Sequence, residues 1–266
     1  DGWRTSDSYL RRTSLRALLA PLKLAHFGDP ELFRRLGCVF EIAPSGAAQP
    51  RAVTERVTRA AELEPGEDIE CDVVVVGTGA GGAVVAKELA EQGHAVILLE
   101  EGEYFTREHF TGRALSMLKQ LYRDAGTTMS IGNVAIPIPT GVTVGGTTTV
   151  NSGTCYRVPP RVLRKWREAY GLAEFGPDSL TPYYERVEAI LGVARARPEH
   201  LGPAADVIAR GCDKLGYKHQ ALLRNAPDCD GQGVCCFGCP TDAKRSTNVS
   251  YVPLALKAGA HLFTGA

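Results

Sequence analysis

The stretch from Cys71 to Gly102, CDVVVVGTGAGGAVVAKELAEQGHAVILLEEG, constrains the fold of this chain more than any other. Val73 to Val76 is an unbroken β-branched run, the composition expected of a strand covered on both faces in a parallel sheet. Directly after it, Gly77, Gly79 and Gly82 stand in G-x-G-x-x-G spacing, with Ala80 and Gly81 filling the gap. Between a strand and a helix, that spacing supplies a tight turn, a close backbone approach to a pyrophosphate and a small residue where helix packs on strand. Ala83 to Ala90 reads as a helix opening from the turn, so its free N–H groups and positive end face the phosphates. Val96 to Leu99 form a second strand closed by Glu100, roughly twenty residues past the glycines, where a carboxylate accepts hydrogen bonds from a ribose hydroxyl pair. Glu101 is the alternative for that role if the strand ends a residue later. Glycine turns occur in many loops. Here the strand before, the helix after, the second strand and the acid in register select a dinucleotide site over a plain turn.

With 266 residues, the chain is long enough for one large or two modest domains. Thirty basic and thirty acidic side chains cancel, so no global field favours nucleic acid or an anionic membrane. No apolar run approaches the length of a bilayer-spanning helix. Eight cysteines are too few for a disulfide scaffold, but four of them crowd into Cys229–Cys239, a local device. The first residue is Asp1, and the closing HLFTGA reads as the start of a strand, so the chain is expected to be a piece of a longer one.

Leu10, Leu15, Leu18, Leu19, Leu22 and Leu24 have the spacing of an amphipathic helix or helix pair carrying Arg11, Arg12, Arg16 and Lys23. Such a helix suits peripheral contact with a membrane surface; packing on its own protein, with a solvated basic face, is the expectation preferred here. Asp29-Pro30 marks a second, short helix through Leu36, with Asp as cap and Pro in the first turn. Pro44 to Pro50 reads as a linker, Arg51 to Leu63 as exposed and either helical or extended, and Glu64-Pro65-Gly66-Glu67 as a turn. The main boundary is therefore placed between residues 67 and 68. Further on, a helix is expected over Arg107–Tyr122, another after Pro159 containing Trp166, one starting at Thr181-Pro182, and one ending at Gly216 as its C-cap.

The segment from Gly141 to Gly153, GVTVGGTTTVNSG, is the second informative stretch. Its glycines let the backbone approach a flat ring or a phosphate while hydroxyls and amides point inward; a β-turn in a Thr-rich sheet fits the local chemistry equally. Taken with the first glycine turn, this segment resembles the FAD-dependent glucose–methanol–choline oxidoreductase family. DVVVVGTGAGGAVVAKELAEQGHAVILLEEG is similar to the family's FAD fingerprint, and Val144-Gly-Gly-Thr-Thr-Thr-Val-Asn151 to its L-G-G-S-S-x-x-N loop, with Thr in place of the commoner Ser.

The resemblance implies an α/β fold with a Rossmann-like FAD-binding domain, incomplete here, behind an N-terminal helical extension. Residues 1–67 would be extension and linker, and residues 68–266 the first part of the FAD domain with the start of substrate-domain insertions. By resemblance Gly77, Gly79, Ala80, Gly81, Gly82 and Glu100 bind the ADP half of FAD, and Gly145, Gly146, Thr147 and Asn151 lie along the pyrophosphate and flavin. The implied substrate is a small-molecule alcohol, long-chain or sterol in the branch that the cysteine-rich stretch resembles most. No nucleic-acid partner is implied.

Cys229, Cys235 and Cys239, with Cys236 beside them, sit on a glycine-rich loop and have two readings. Closely spaced thiolates can surround one iron–sulfur cluster, and some flavin sugar dehydrogenases of the superfamily carry a C-x5-C-x3-C cluster motif. The pattern CCFGC…K-x-S-T resembles the long-chain alcohol oxidase branch more closely, where no cluster is assigned, so the cysteines are read first as a structural thiol cluster. Cys38, Cys155 and Cys212 read as buried small apolar residues. The catalytic residues remain unassigned: the family's base is a His paired with Asn or a second His, expected beyond residue 266. His26, His94, His109, His200, His219 and His261 match no such motif.

Overall fold

In the computed structural model, which describes residues 2–36, 51–66 and 68–266, the leucine-rich N-terminal segment forms one helix, α1 (Tyr9–Phe27), capped by Ser8. α2 (Pro30–Arg35) starts where the Asp-Pro pair places it, Asp29 accepting the Leu32 N–H at 2.8 Å. The expected packing of α1 on its own protein is found only in part: the helix touches the later helix Ala114–Leu121 along the side of Leu15 and Leu19. No residue of the helix is buried, and Leu10, Leu18 and Leu22 are 73%, 64% and 64% exposed. Its leucines are spread around much of the circumference, so the side on which Leu15 and Leu19 are partly covered leaves the others in solvent. Cys38 and the linker Pro44–Pro50 lie outside the described residues.

The elements that follow are α3 (Arg51–Thr54), β1 (Val57–Arg59), β2 (Val73–Val76), α4 (Ala80–Glu91), β3 (Val96–Glu100), α5 (Ala114–Leu121), α6 (Thr147–Val150), α7 (Pro160–Tyr170), α8 (Pro177–Leu191), β4 (Ala194–Arg195), α9 (Gly202–Leu215), β5 (Leu223–Arg224), α10 (Tyr251–Lys257) and β6 (His261–Thr264). Four strands form a parallel sheet in the order β1-β6-β3-β2, with Val75 opposite Leu98 and Leu98 opposite Leu262. Because β1 pairs with β6, the boundary expected between residues 67 and 68 cuts through this sheet, and the short Val57-Thr-Arg run belongs to it. Three residues carry too little periodicity to reveal a strand; its partner lies at the far end of the chain.

One face of the sheet is dry. Val75, Leu98 and Leu262 pack there against Ala83, Ala86 and Ala90 of α4 and Val252, Ala255 and Leu256 of α10. Small residues on α4 let the helices and sheet approach closely, and each fully buried Leu or Val contributes ~1.5–3 kcal/mol. The other face differs from expectation, since Val74 and Val76 are 52% and 83% exposed. Among the described residues β2 stands at the edge of the sheet and helices cover one of its sides.

A smaller cluster of Phe110, Met117, Leu121 and Val150, with Phe105, Tyr122 and Phe237 against it, fixes α5, α6 and the cysteine-rich loop to one another. The helix expected over 107–122 is split: a single turn at Arg107–His109 ends at Phe110, Gly112 takes φ +69°, and α5 begins at Ala114. Phe110 is buried at that break, in the same cluster as Met117 and Leu121 of α5. α8 starts at Pro177, before the expected Thr181-Pro182, and accommodates Pro182 inside the helix. α9 ends at Gly216 in the left-handed conformation, φ +70°, as the C-cap reading predicts.

Candidate functional site

The chain leaves β2 through Gly77 at φ +89°, a conformation that favours glycine. Gly82 is demanded by space: a Cβ there would stand 2.0 Å from the Gly77 carbonyl oxygen and 3.1 Å from Val75 Cγ1. The first turn of α4 is thereby pressed onto the end of β2. Its first intrahelical bond runs from Ala83 N–H to Gly79 O at 3.1 Å, so the N–H groups of Ala80, Gly81 and Gly82 precede the helical ladder. Ala80 and Gly81 are exposed, and Cβ atoms added at Gly79 and Gly81 would meet nothing within 4 Å. These donors therefore face open space at the C-terminal edge of the sheet, where an anion fits.

Glu100 ends β3 beside this turn, 5% exposed. Its Oε2 accepts from Thr78 N–H (2.9 Å) and the Thr78 hydroxyl (2.6 Å), and its Oε1 accepts from Gly102 N–H (3.1 Å). An ionised carboxylate has about four lone-pair sites, so capacity for a further donor remains. Glu101 is exposed and pairs with Arg123, pointing it to a different task.

The threonine-rich segment meets the first glycine turn. Gly145 N–H donates to Thr78 Oγ1 at 2.8 Å, and a Cβ at Gly146 would lie 3.3 Å from Gly79 Cα. Gly145 and Gly146 have φ +95° and +51°, after which Thr147–Val150 forms the single turn α6. A third segment locks the two: the Thr247 hydroxyl donates to Thr78 O at 2.8 Å, and Thr247 N–H donates to Thr148 Oγ1 at 3.1 Å. Gly77, Gly79, Ala80, Gly81, Gly82, Glu100, Gly145 and Gly146 thus share one cradle. Thr147 and Asn151 sit at its exposed end, engaged locally, with Thr147 Oγ1 accepting from Gly141 N–H (3.1 Å) and Asn151 Oδ1 from Gly153 N–H (2.9 Å).

Sequence reasoning missed Thr78, Thr148, Thr247 and Lys244. Thr78 occupies a position that the glycine motif leaves unspecified. Thr247 and Lys244 follow the cysteine run, in the K-R-S-T stretch that only the resemblance had singled out.

The cysteine-rich loop lies behind α6. Cys229, Cys235 and Cys239 line one depression together with Arg224 and Lys244. Each sulfur accepts a donor: Cys235 from the Arg224 guanidinium (3.0 Å), Cys239 from Lys244 N–H (3.3 Å) and Cys229 from Gly231 N–H (3.4 Å). Among the described residues, no three His, Cys, Asp or Glu side chains converge closely enough for one metal ion. Cys155 and Cys212 are half-buried, not buried as expected, because their segments run along the surface; partial burial still pushes the Cys155 thiol up. The histidines lie elsewhere: His109 bonds Thr106, His200 the Cys229 carbonyl, His219 Asp213 and His261 Thr58, while His26 and His94 are exposed.

Two family models match the sequence: GMC oxidoreductase over residues 118–266, and FAD binding domain over residues 72–115. An uncharacterised GMC-type oxidoreductase of Mycobacterium tuberculosis is 41% identical over 196 residues, covering 73% of this chain and 31% of that protein. A long-chain-alcohol oxidase of Arabidopsis thaliana is 34% identical over 197 residues, covering 74% of this chain and 26% of the relative. The chain thus spans about a third of the length, or less, of these two curated relatives. Among solved structures, pyridoxine 4-oxidase from Mesorbium loti aligns with a TM-score of 0.48 at 19% identity, over 74% of this chain and 42% of that one.

Proposed function

The chain belongs to the GMC oxidoreductase family and FAD is its cofactor; on that premise we propose that the protein oxidises an alcohol at its CH–OH group. The observation that carries the reading is the junction of the two glycine loops through Thr78 and Gly145 (2.8 Å), which makes one cradle from segments far apart in sequence. The cradle suits the cofactor's chemistry. Backbone N–H groups of Ala80, Gly81 and Gly82 supply donors for a pyrophosphate, and the open face of Gly79 and Gly81 gives it room that a Cβ would fill. Glu100 keeps lone pairs for a ribose hydroxyl, and Gly145, Gly146, Thr147 and Asn151 flank the flavin side.

Bound FAD supplies the acceptor for the hydride that leaves the carbinol carbon. The residues of this chain bind and orient that group; the base that takes the hydroxyl proton is expected beyond residue 266, as a His paired with Asn or a second His. A long-chain substrate is supported by the Arabidopsis relative named for that activity. It is also supported by α1, whose exposed leucines and four basic side chains suit a lipid surface where such alcohols partition. The test is anaerobic mixing of the purified full-length flavoprotein with alcohols from short to long chain. Bleaching of the flavin absorbance is expected; bound FAD that no alcohol reduces leaves a flavin-binding module without turnover.

A second reading has its own observation. Cys229, Cys235 and Cys239 line one depression and each sulfur receives a donor, as cluster-ligating thiolates do, which supports an iron–sulfur cluster as the alternative. The protein would then pass electrons onward from the flavin as a dehydrogenase. Iron and acid-labile sulfide analysis of the full-length protein separates the two readings, and absence of both removes this one.

A further inference from the structure

Lys244 is 1% exposed, and its Nζ donates to three main-chain carbonyls: Thr149 (2.7 Å), Asn151 (2.7 Å) and Cys235 (2.9 Å). An ammonium has three donors and no acceptor, so these carbonyls use all of it. Among the described residues no carboxylate pairs with it. A buried cation held by dipoles alone is costly, and burial pushes this amine down to about 8.

Two of the three carbonyls belong to the end of α6. The last helical bond there runs from Asn151 N–H to Thr147 O at 3.0 Å, and Gly153 N–H is diverted to the Asn151 side chain. The Thr149 carbonyl is thereby denied the Gly153 N–H that would continue the ladder, and a cation at a helix C-terminus meets that need. The chain makes room for the lysine. A Cβ at Gly153, φ +71°, would stand 2.5 Å from Asn225 Oδ1 and 3.3 Å from Lys244 Cγ and Cδ, so the glycine leaves room for both side chains. The main-chain N–H of Lys244 donates to Cys239 Sγ at 3.3 Å. One side chain therefore ties the second glycine loop to the cysteine-rich loop behind it.

We propose that Lys244 is a positioning residue for FAD: its ammonium draws the Thr149 and Asn151 carbonyls inward and so fixes where Gly145–Asn151 meets the cofactor. This rests on the assignment of that loop to the FAD site. A core lysine that only fills space would be replaced by methionine at little cost. A positioning cation would not, because three carbonyls lose their donor and a fixed positive charge behind the loop is lost.

The test uses the full-length protein and its K244M and K244R variants, with hydrogen exchange measured without FAD, and FAD affinity and flavin midpoint potential measured with it. In K244M, amides of 148–153 are expected to exchange at least about tenfold faster and FAD to bind at least about tenfold more weakly. The midpoint potential falls, because the reduced form carries more negative charge, and K244R, which keeps the charge, stays near the wild-type potential. Unchanged exchange together with one potential shared by all three proteins overturns the proposal. Wild-type protein that binds no FAD defeats the cofactor reading, while the exchange experiment still decides the clamp. If K244M does not fold, K244Q, with two donors and no charge, carries the same expectations and the same overturning result.

Discussion

The Thr78 hydroxyl is the single group whose removal most directly separates the two halves of the cradle. Thr78 is fully buried, and its Oγ1 both donates to Glu100 Oε2 (2.6 Å) and accepts Gly145 N–H (2.8 Å). Thr78→Val keeps the shape and deletes both bonds. The bond to the carboxylate contributes ~1.5–3 kcal/mol, and leaving the Gly145 N–H buried without a partner costs ~1–3 kcal/mol. Added burial of the new methyl returns ~1 kcal/mol, for a net loss of ~1.5–5 kcal/mol. Thr78→Ser retains the hydroxyl and loses only a methyl, so it is expected to cost ~1 kcal/mol. Urea unfolding of the full-length apoprotein reads the stability difference, and fluorescence titration with FAD reads the cradle. The valine variant is expected to bind FAD at least about tenfold more weakly than the serine variant, since each tenfold needs only ~1.4 kcal/mol. Equal stability and affinity, within twofold, for valine and wild type would mean that Gly145 N–H finds another acceptor and that Thr78 does not join the loops.

Three further outcomes are expected. Gly82→Ala places a Cβ 2.0 Å from the Gly77 carbonyl oxygen, so α4 must lift from β2; a loss of ~1–3 kcal/mol in unfolding experiments should come with loss of FAD binding, whereas Gly81→Ala, with no atom within 4 Å, should leave stability unchanged or higher. Lys244, held down at about 8 by burial against an ordinary lysine value of 10.5, binds fewer protons folded than unfolded between those values; Cys235, Cys236, Cys239 and Arg224 also act on it. Its contribution to stability therefore rises as pH climbs from about 8 toward 10.5, and the urea midpoint of wild type relative to K244M should increase between pH 7.5 and pH 10; a pH-independent difference contradicts this. Finally, co-sedimentation of the full-length protein with anionic vesicles should drop in the L18E/L22E double variant, whose changes fall on the 64% exposed leucines of α1; equal binding by both proteins removes the membrane role for that helix.

The nucleotide unit was legible in the sequence because its instructions are local. Val73–Val76, the three glycines and Val96–Glu100 act over one strand, one turn and one helix, where spacing alone fixes which backbone shapes are available. The helix caps at Asp29 and Gly216 are of the same kind. What the sequence did not disclose is which faces the described residues cover: the valine run of β2 reads as doubly buried, yet Val74 and Val76 lie on a face those residues leave open, and of the α1 leucines Leu15 and Leu19 are partly covered while Leu10, Leu18 and Leu22 are exposed, because burial depends on neighbours far along the chain. β1 was missed for the same reason, since three residues become a strand only when β6, some two hundred positions later, lies beside them.

The cradle itself was decided by tertiary structure. The Gly145 N–H reaches Thr78 across 67 positions, the Thr247 hydroxyl reaches it across 169, and the Lys244 ammonium reaches Thr149 across 95. Thr78 sits at an unspecified position of the glycine motif, and nothing in their local sequence marks Thr247 and Lys244 as reaching these loops. A hydroxyl or an ammonium acquires a task only from the donor or acceptor placed opposite it, and no local pattern of residues records that partner.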